Sequence, residues 1–296
     1  MTAQVIEGKK IAAEIREELQ AEVARLKAQG IVPGLGVVLV GEDPASQSYV
    51  TAKERACAEI GIYSDDNRLP AATTQADLLA LVERMNRDPK INGILVQLPL
   101  PDQIDEAAVL LAVDPAKDVD GFHPMNVGKM VIGERAFLPC TPHGVIQMLL
   151  RSGVETDGAH VVVVGRSNIV GKPVANLLLQ KRVGGNATVT VCHTRTRDLA
   201  RVVRQADVVI AAAGRPNTVT ADMIKDGAVV IDVGVNRVED PSRARGYRLV
   251  GDVDYAAVSQ KAAKITPVPG GVGPMTITML LWNTVESARM ANGLDR

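Results

Sequence analysis

Four consecutive valines, Val161 to Val164, run straight into Gly165, and a helical pattern of Val174, Leu177 and Leu178 follows Pro173. So continuous a β-branched run reads as a strand covered on both faces, the situation of a strand inside a parallel sheet. Gly165 lets the backbone turn sharply. The helix beyond it then points its free N–H groups and the positive end of its dipole at the same spot. Strand, glycine turn and helix in that order build an anion site. Arg166 and Ser167, inside the turn, add a fixed charge and a hydroxyl. The segment therefore predicts a phosphate-bearing ligand at the carboxyl end of a parallel sheet.

The next strand is expected at 187–192, continuing as His193-Thr194-Arg195-Thr196. In NAD-binding units of this kind an Asp or Glu, roughly 20 residues beyond the glycine turn, bonds the ribose hydroxyls. No acid occurs here between Gly165 and Asp198. A tip of His193, Thr194 and Arg195 facing Arg166 and Ser167 suits an additional phosphate on the ribose, which favours NADP over NAD. The segment is not a Walker A loop. Gly165 and Gly171 enclose five residues rather than four, and Pro173 stands where a magnesium-binding Ser or Thr is required.

At 296 residues the chain accommodates two domains of ordinary size. A net charge of −1 provides no general attraction to nucleic acid or to an anionic membrane. With one Trp, four Tyr and two Phe, a base-stacking surface is not expected either. The first residues, MTAQVIEGKK, lack an apolar signal region, and no run approaches the ~20 apolar residues of a membrane span. Cys57, Cys140 and Cys192 lie far apart without a CxxC pair, which speaks against a zinc site or a disulfide framework. The expected location is a reducing cytoplasm, and no metal is expected.

Helix and strand signals alternate along the chain. Ile11, Ile15, Leu19, Val23 and Leu26 mark an amphipathic helix over 8–29, and 36–40 is a buried strand. Asp43-Pro44 starts a helix that runs to Ile60 and stops at Gly61. Thr74 with Asp77 resembles a capping box, and 91–97 is a further strand. A helix after Thr141-Pro142 connects to a second series of strands near 161–165, 187–192, 207–213 and 228–233. The last element, Ile265-Thr266-Pro267, leads into a Gly/Pro-rich stretch, 269–274, that is expected to be irregular, and 275–291 is expected to be helical. The predicted fold class is α/β with two α/β domains. Residues 1–140, completed by a C-terminal helix over 275–296, form the first domain. Residues 141–274 form a Rossmann-type dinucleotide-binding domain, with a ligand cleft between the two.

Some side chains in this frame suit chemistry. Tyr49 and Lys53 are four apart on one helix face. Most helix lysines are solvated, but Ala52, Ala56 and Cys57 make the surroundings of Lys53 small and apolar. The helix also begins just past a strand end, where open parallel sheets place ligands. Gln97, at another strand end, projects to the same edge. An ammonium in a partly desolvated cleft titrates lower and exchanges protons near neutral pH. Asp118 and Asp120 flank Val119 before Gly121. They are either solvated turn acids or a carboxylate site for an amidine-like partner with two parallel N–H groups. No third acid accompanies them to hold a metal. The four histidines are scattered and have no identifiable nucleophilic partner. Stretch 266–276 is either a tight turn or a backbone surface that a flat ligand can approach. Gly214 and Gly234-Val235, at strand ends, form the expected floor of a nicotinamide pocket.

The segments YVTAKERACAEIGI (49–62), GILVQLPLP (93–101), KDVDGFHPMNVGK (117–129), PCTPHGV (139–145), VVVVGRSNIVGKP (161–173), VVIDVGVN (229–236) and ITPVPGGVGPMT (265–276) carry a resemblance. The chain resembles, from end to end, the bifunctional methylenetetrahydrofolate dehydrogenase/methenyltetrahydrofolate cyclohydrolase family. That resemblance implies Lys53 as catalytic lysine, Tyr49 against the folate ring, Gln97 bonded near the lysine and Asp120 on the amino-pyrimidine. It implies Gly165, Arg166 and Ser167 on NADP, with Thr194 where relatives often carry Ser and Val235 on the nicotinamide side. Pro269, Gly270 and Gly273 match the family's loop over the folate, and relatives are usually homodimers. The implied activity is NADP-dependent oxidation of methylenetetrahydrofolate followed by hydrolysis to formyltetrahydrofolate, a step that serves one-carbon metabolism and purine biosynthesis. The residues leave two other classes to weigh. One is a shikimate or amino-acid dehydrogenase of similar layout. The other is a non-catalytic NADP-sensing module.

Overall fold

The computed structural model describes residues 2–243 and 246–294. It separates into two units. One comprises the residues up to Ala12 together with Thr141–Thr276, and the other comprises Ala13–Cys140 together with the residues from Ile277 on. The N-terminal residues thus fold with the dinucleotide-type half rather than with the segment that follows them. The cause is β1 (Gln4–Val5), which pairs in parallel with Lys264 and Ile265. The division falls inside the first and last long helices, α1 (Gly8–Ala28) and α10 (Val272–Ala291).

The unit containing Ala13–Cys140 is built on three parallel strands in the order β3-β2-β4: β2 (Gly34–Val40), β3 (Tyr63–Leu69) and β4 (Gly93–Val96). All of β2 and β4 is buried, which explains their purely apolar sequences. Helix α2 (Pro44–Ile60) follows β2. The Asp43 carboxylate accepts from the Ser46 N–H at its start, and Gly61, at φ 82°, closes it. Helix α3 (Gln75–Arg87) is capped by Thr74, and its Leu78, Leu81, Val82 and Met85 pack with Val38, Ile94 and Val96. Lys117 donates to the Met85 and Asp88 carbonyls and so ties the following loop to the end of α3. Two short helices complete the sequence of elements here, α4 (Glu106–Ala112) and α5 (Pro124–Ile132).

The other unit carries a six-stranded parallel sheet with strands β5 (His160–Val164), β6 (Thr188–Cys192), β7 (Val208–Ala211), β8 (Val229–Asp232), β11 (Lys264–Ile265) and β1. The order is β1-β11-β8-β7-β5-β6. The chain moves outward from β5 to β6 and then returns past it to β7, so the topological switch point lies between β5 and β7, the place where doubly wound sheets bind ligands. Helices α6 (Cys140–Arg151), α7 (Gly171–Leu179), α8 (Leu199–Val203) and α9 (Tyr255–Val258) accompany the sheet. An antiparallel hairpin joins β9 (Asn236–Glu239) to β10 (Tyr247–Val250). No helix among the described residues is long and apolar enough to cross a membrane.

Candidate active site

In the unit built on β2, Lys53 is 8% exposed, on the face of α2 that also carries Tyr49. Its ammonium donates to Gln97 Oε1 at 3.0 Å, and Gln97 Nε2 donates in turn to the Leu98 carbonyl at 2.7 Å. The amide is therefore fixed with its oxygen toward the lysine. Tyr49 remains 46% exposed, a flat apolar surface on the same helix face.

The loop after α4 supplies the carboxylates. Asp118 and Asp120, alike in sequence, differ in environment. The buried Asp118 accepts from the Phe122 and His123 N–H groups and from Asn126 Nδ2. It is spent on shaping its own loop, and burial raises its pKa in spite of those bonds. Among the described residues, Asp120 accepts only a weak contact, from the Cys140 thiol at 3.8 Å. Desolvation by the surrounding protein raises its pKa to about 6, against the attraction of the Lys53 charge. Above that pH it is a carboxylate whose oxygens remain available to a ligand with paired N–H donors. The loop's position is set by Asn283 of α10, whose Nδ2 donates to the carbonyls of Val119 at 2.7 Å and Leu138 at 2.9 Å. Asn283 was not visible as a functional residue in the sequence, since nothing there sets it apart from Thr278, Thr284 and Ser287 of the same helix. Burial pushes the Cys57 thiol up to about 12 and Cys140 well above its usual value, so neither is a thiolate nucleophile.

In the unit built on the six-stranded sheet, a cavity of about 270 Å³ lies at the switch point. Its lining includes Gly165, Arg166, Ser167, His193, Thr194 and Arg215. Gly165 is at φ 139°, and a Cβ there would stand 2.0 Å from the Ala212 carbonyl oxygen, so only glycine permits the turn. The Ser167 hydroxyl accepts from the N–H groups of Val170 and Gly171 at the start of α7, which leaves its own proton to donate. Arg166, Thr194 and Arg215 are exposed cavity walls. Arg215, seen in the sequence only as part of a strand-end Gly-Arg-Pro, adds a second cation there. A glycine-lined turn, a helix start and two guanidinium groups fit a dinucleotide phosphate. Val235 lies outside this cavity, 52% exposed beyond the end of β8. Pro269 and Gly273 are exposed and Gly270 half-buried in the same unit, where the Gly270 carbonyl accepts from the Lys9 N–H at 3.1 Å.

Comparison with known proteins places the chain in a family. The tetrahydrofolate dehydrogenase/cyclohydrolase catalytic domain matches residues 6–120, and the NAD(P)-binding domain of the same enzymes matches 139–292. The chain belongs to the tetrahydrofolate dehydrogenase/cyclohydrolase family. It is 63% identical over 289 residues to the bifunctional protein FolD of Moorella thermoacetica, covering 98% of this chain and all of that one. It is 61% identical over 294 residues to FolD of Syntrophus aciditrophicus, with 99% and 100% covered. Among solved structures, the FolD enzyme of Campylobacter jejuni superposes with a TM-score of 0.92 at 49% identity over 97% of this chain and 99% of that one. The Trypanosoma brucei enzyme, solved with NADP and an inhibitor, gives 0.93 at 45% identity over 99% of both chains. A shikimate dehydrogenase, at 13% identity and a TM-score of 0.50, shares the fold alone. The two family domains matched along the chain are thus one catalytic and one NAD(P)-binding domain.

Proposed function

We propose that this protein oxidises methylenetetrahydrofolate with NADP and hydrolyses the methenyl product to 10-formyltetrahydrofolate. The single observation that carries the residue assignment is the Lys53–Gln97 hydrogen bond, 3.0 Å long and mostly enclosed, in the unit that also holds Asp120. When bound, NADP takes up a hydride from the folate's methylene carbon. Lys53 moves protons at that carbon while water adds and the ring opens, and Gln97 Oε1 holds the ammonium in place. Asp120 accepts the two parallel N–H groups of the amino-pyrimidine, and Tyr49 lies against the folate ring. Pro269, Gly270 and Gly273 contribute a low backbone surface for the folate. Gly165, Arg166, Ser167 and Thr194 hold the ribose phosphate and pyrophosphate, and Val235 lines the nicotinamide side. The absence of any acid between Gly165 and Asp198, with Arg166 and Arg215 in the cavity wall, favours the additional phosphate of NADP over NAD.

A homodimer is supported by the edge strand β6, which leaves Val191 exposed, and by exposed Leu179 and Val183 just before it. Sedimentation equilibrium measures it. Three buried free cysteines, Cys57, Cys140 and Cys192, suit a reducing cytoplasm. The test of function is direct. Purified protein given methylenetetrahydrofolate and NADP should reduce the cofactor and then pass through the methenyl absorbance to formyltetrahydrofolate. Equal efficiency with NAD would contradict the phosphate assignment, and no reduction with either cofactor would contradict the function.

A further inference from the structure

Two buried acids are not used by the roles above. Asp232 ends β8 and is 2% exposed, and Asp252 follows β10 and is fully buried. Asp232 accepts from the N–H groups of Gly234 at 3.0 Å, Asp252 at 2.9 Å and Val253 at 3.0 Å. Asp252 accepts from the N–H groups of Ala213 at 2.6 Å and Gly214 at 2.8 Å and from Asn236 Nδ2 at 2.9 Å. All six partners are N–H donors, an environment made for ionised carboxylates. Among the described residues no Lys, Arg or His forms an ion pair with either. The packing is reciprocal: a Cβ on Gly234 would meet Asp252 Oδ1 at 2.2 Å, and one on Gly251 would meet Asp232 Oδ2 at 1.8 Å. Both segments keep glycine so that a carboxylate can press against the opposite backbone.

Holding three loops together does not require charge. Thr266 Oγ1 does the same work with a neutral hydroxyl when it accepts from the Asp232 N–H at 2.7 Å. Burying charge without a cation costs several kcal/mol, and burial correspondingly lifts Asp232 to about 6. Among the groups that the two carboxylates hold are Gly214 and Gly234, which stand with Val235 at the strand ends assigned to the nicotinamide. The oxidised nicotinamide ring is a cation and the reduced ring is neutral. We propose that Asp232 and Asp252 act as a fixed negative charge beneath the nicotinamide subsite that favours binding of the oxidised cofactor over the reduced one. This inference rests on the placement of the cofactor at this edge. Both acids are positioning and selectivity residues acting through the backbone they hold and the field they set up.

The test is the ratio of dissociation constants for NADP and NADPH, measured by fluorescence titration without folate. The proteins are wild type, Asp252→Asn, Asp232→Asn and Val235→Lys, each first checked for a cooperative thermal transition. Removing one carboxylate charge should weaken NADP relative to NADPH by about four- to fifteenfold, the effect of a unit charge over roughly 10–20 Å at an effective dielectric near 20. Val235→Lys, at an exposed position that folding tolerates, adds a cation and should move the ratio in the same direction even if both Asn variants fail to fold. Weakening of both cofactor forms by the same factor would reduce the acids to structural clamps and overturn the proposal. Unchanged affinity for both forms in every folded variant would overturn the placement of the nicotinamide at this edge as well.

Discussion

Asp120 should make the folded protein less stable at neutral pH than it would be with a neutral side chain, because burial strips water from its ionised carboxylate. Its pKa rises on folding from 3.8 to about 6. Between those values the native state binds more protons than the unfolded chain, so stability falls as pH rises through the interval and then levels off. Each unit corresponds to about 1.4 kcal/mol, so the ionised carboxylate costs about 3 kcal/mol above pH 7. Asp120→Asn keeps the shape and an acceptor for the Cys140 thiol while removing the charge. The variant should therefore be about 2–3 kcal/mol more stable than wild type at pH 7.5, and the difference should vanish near pH 4. Urea unfolding followed by circular dichroism from pH 4 to 8 measures it, and every other titrating group is common to both proteins. The same substitution should weaken folate binding, since the amide cannot accept two N–H bonds as a carboxylate does. An Asp120→Asn protein no more stable than wild type at pH 7.5, or equally stabilised at pH 4, would refute the desolvation argument.

Asn283→Ala strips the amide from two carbonyls around the Asp120 loop and should destabilise the protein by about 1–3 kcal/mol; a change under ~0.5 kcal/mol in urea unfolding would show that the loop holds itself. Gly165→Ala forces a Cβ to within 2.0 Å of the Ala212 carbonyl and should weaken NADP binding at least about tenfold, which titration of the purified variant reads directly. Arg166→Ala should raise KM for NADP by roughly 10- to 100-fold, the loss of one charge-assisted contact, and leave KM for NAD within about threefold.

The strands buried on both faces were legible because burial demands unbroken apolar residues, as in Val161–Val164 and Val208–Ala211. Strand β3 was not. Asp65, Asp66, Asn67 and Arg68 form no apolar pattern, and the segment is a strand only because its backbone pairs with β2 across seven residues. The β9–β10 hairpin and the short α4 and α5 escaped for a similar reason, being half-exposed elements with weak periodicity. The last helix begins at Val272, three residues earlier than its composition suggests. Pro274 sits in its first turn, where an N–H has no helical partner and its absence costs little. In the site, the apolar neighbours of Lys53 announced its burial, and the paired strand ends announced Gln97. Distance in sequence concealed the rest: Asp232 and Asp252 are twenty residues apart, and only the fold brings each against the other's glycine.

Hydrolysis is proposed to depend most on Lys53, the group that moves protons during that step. Lys53→Ala, assayed for hydrolysis of preformed methenyltetrahydrofolate above the spontaneous rate, should lose roughly 10²- to 10⁴-fold in kcat. Hydrolysis within about threefold of wild type would contradict it.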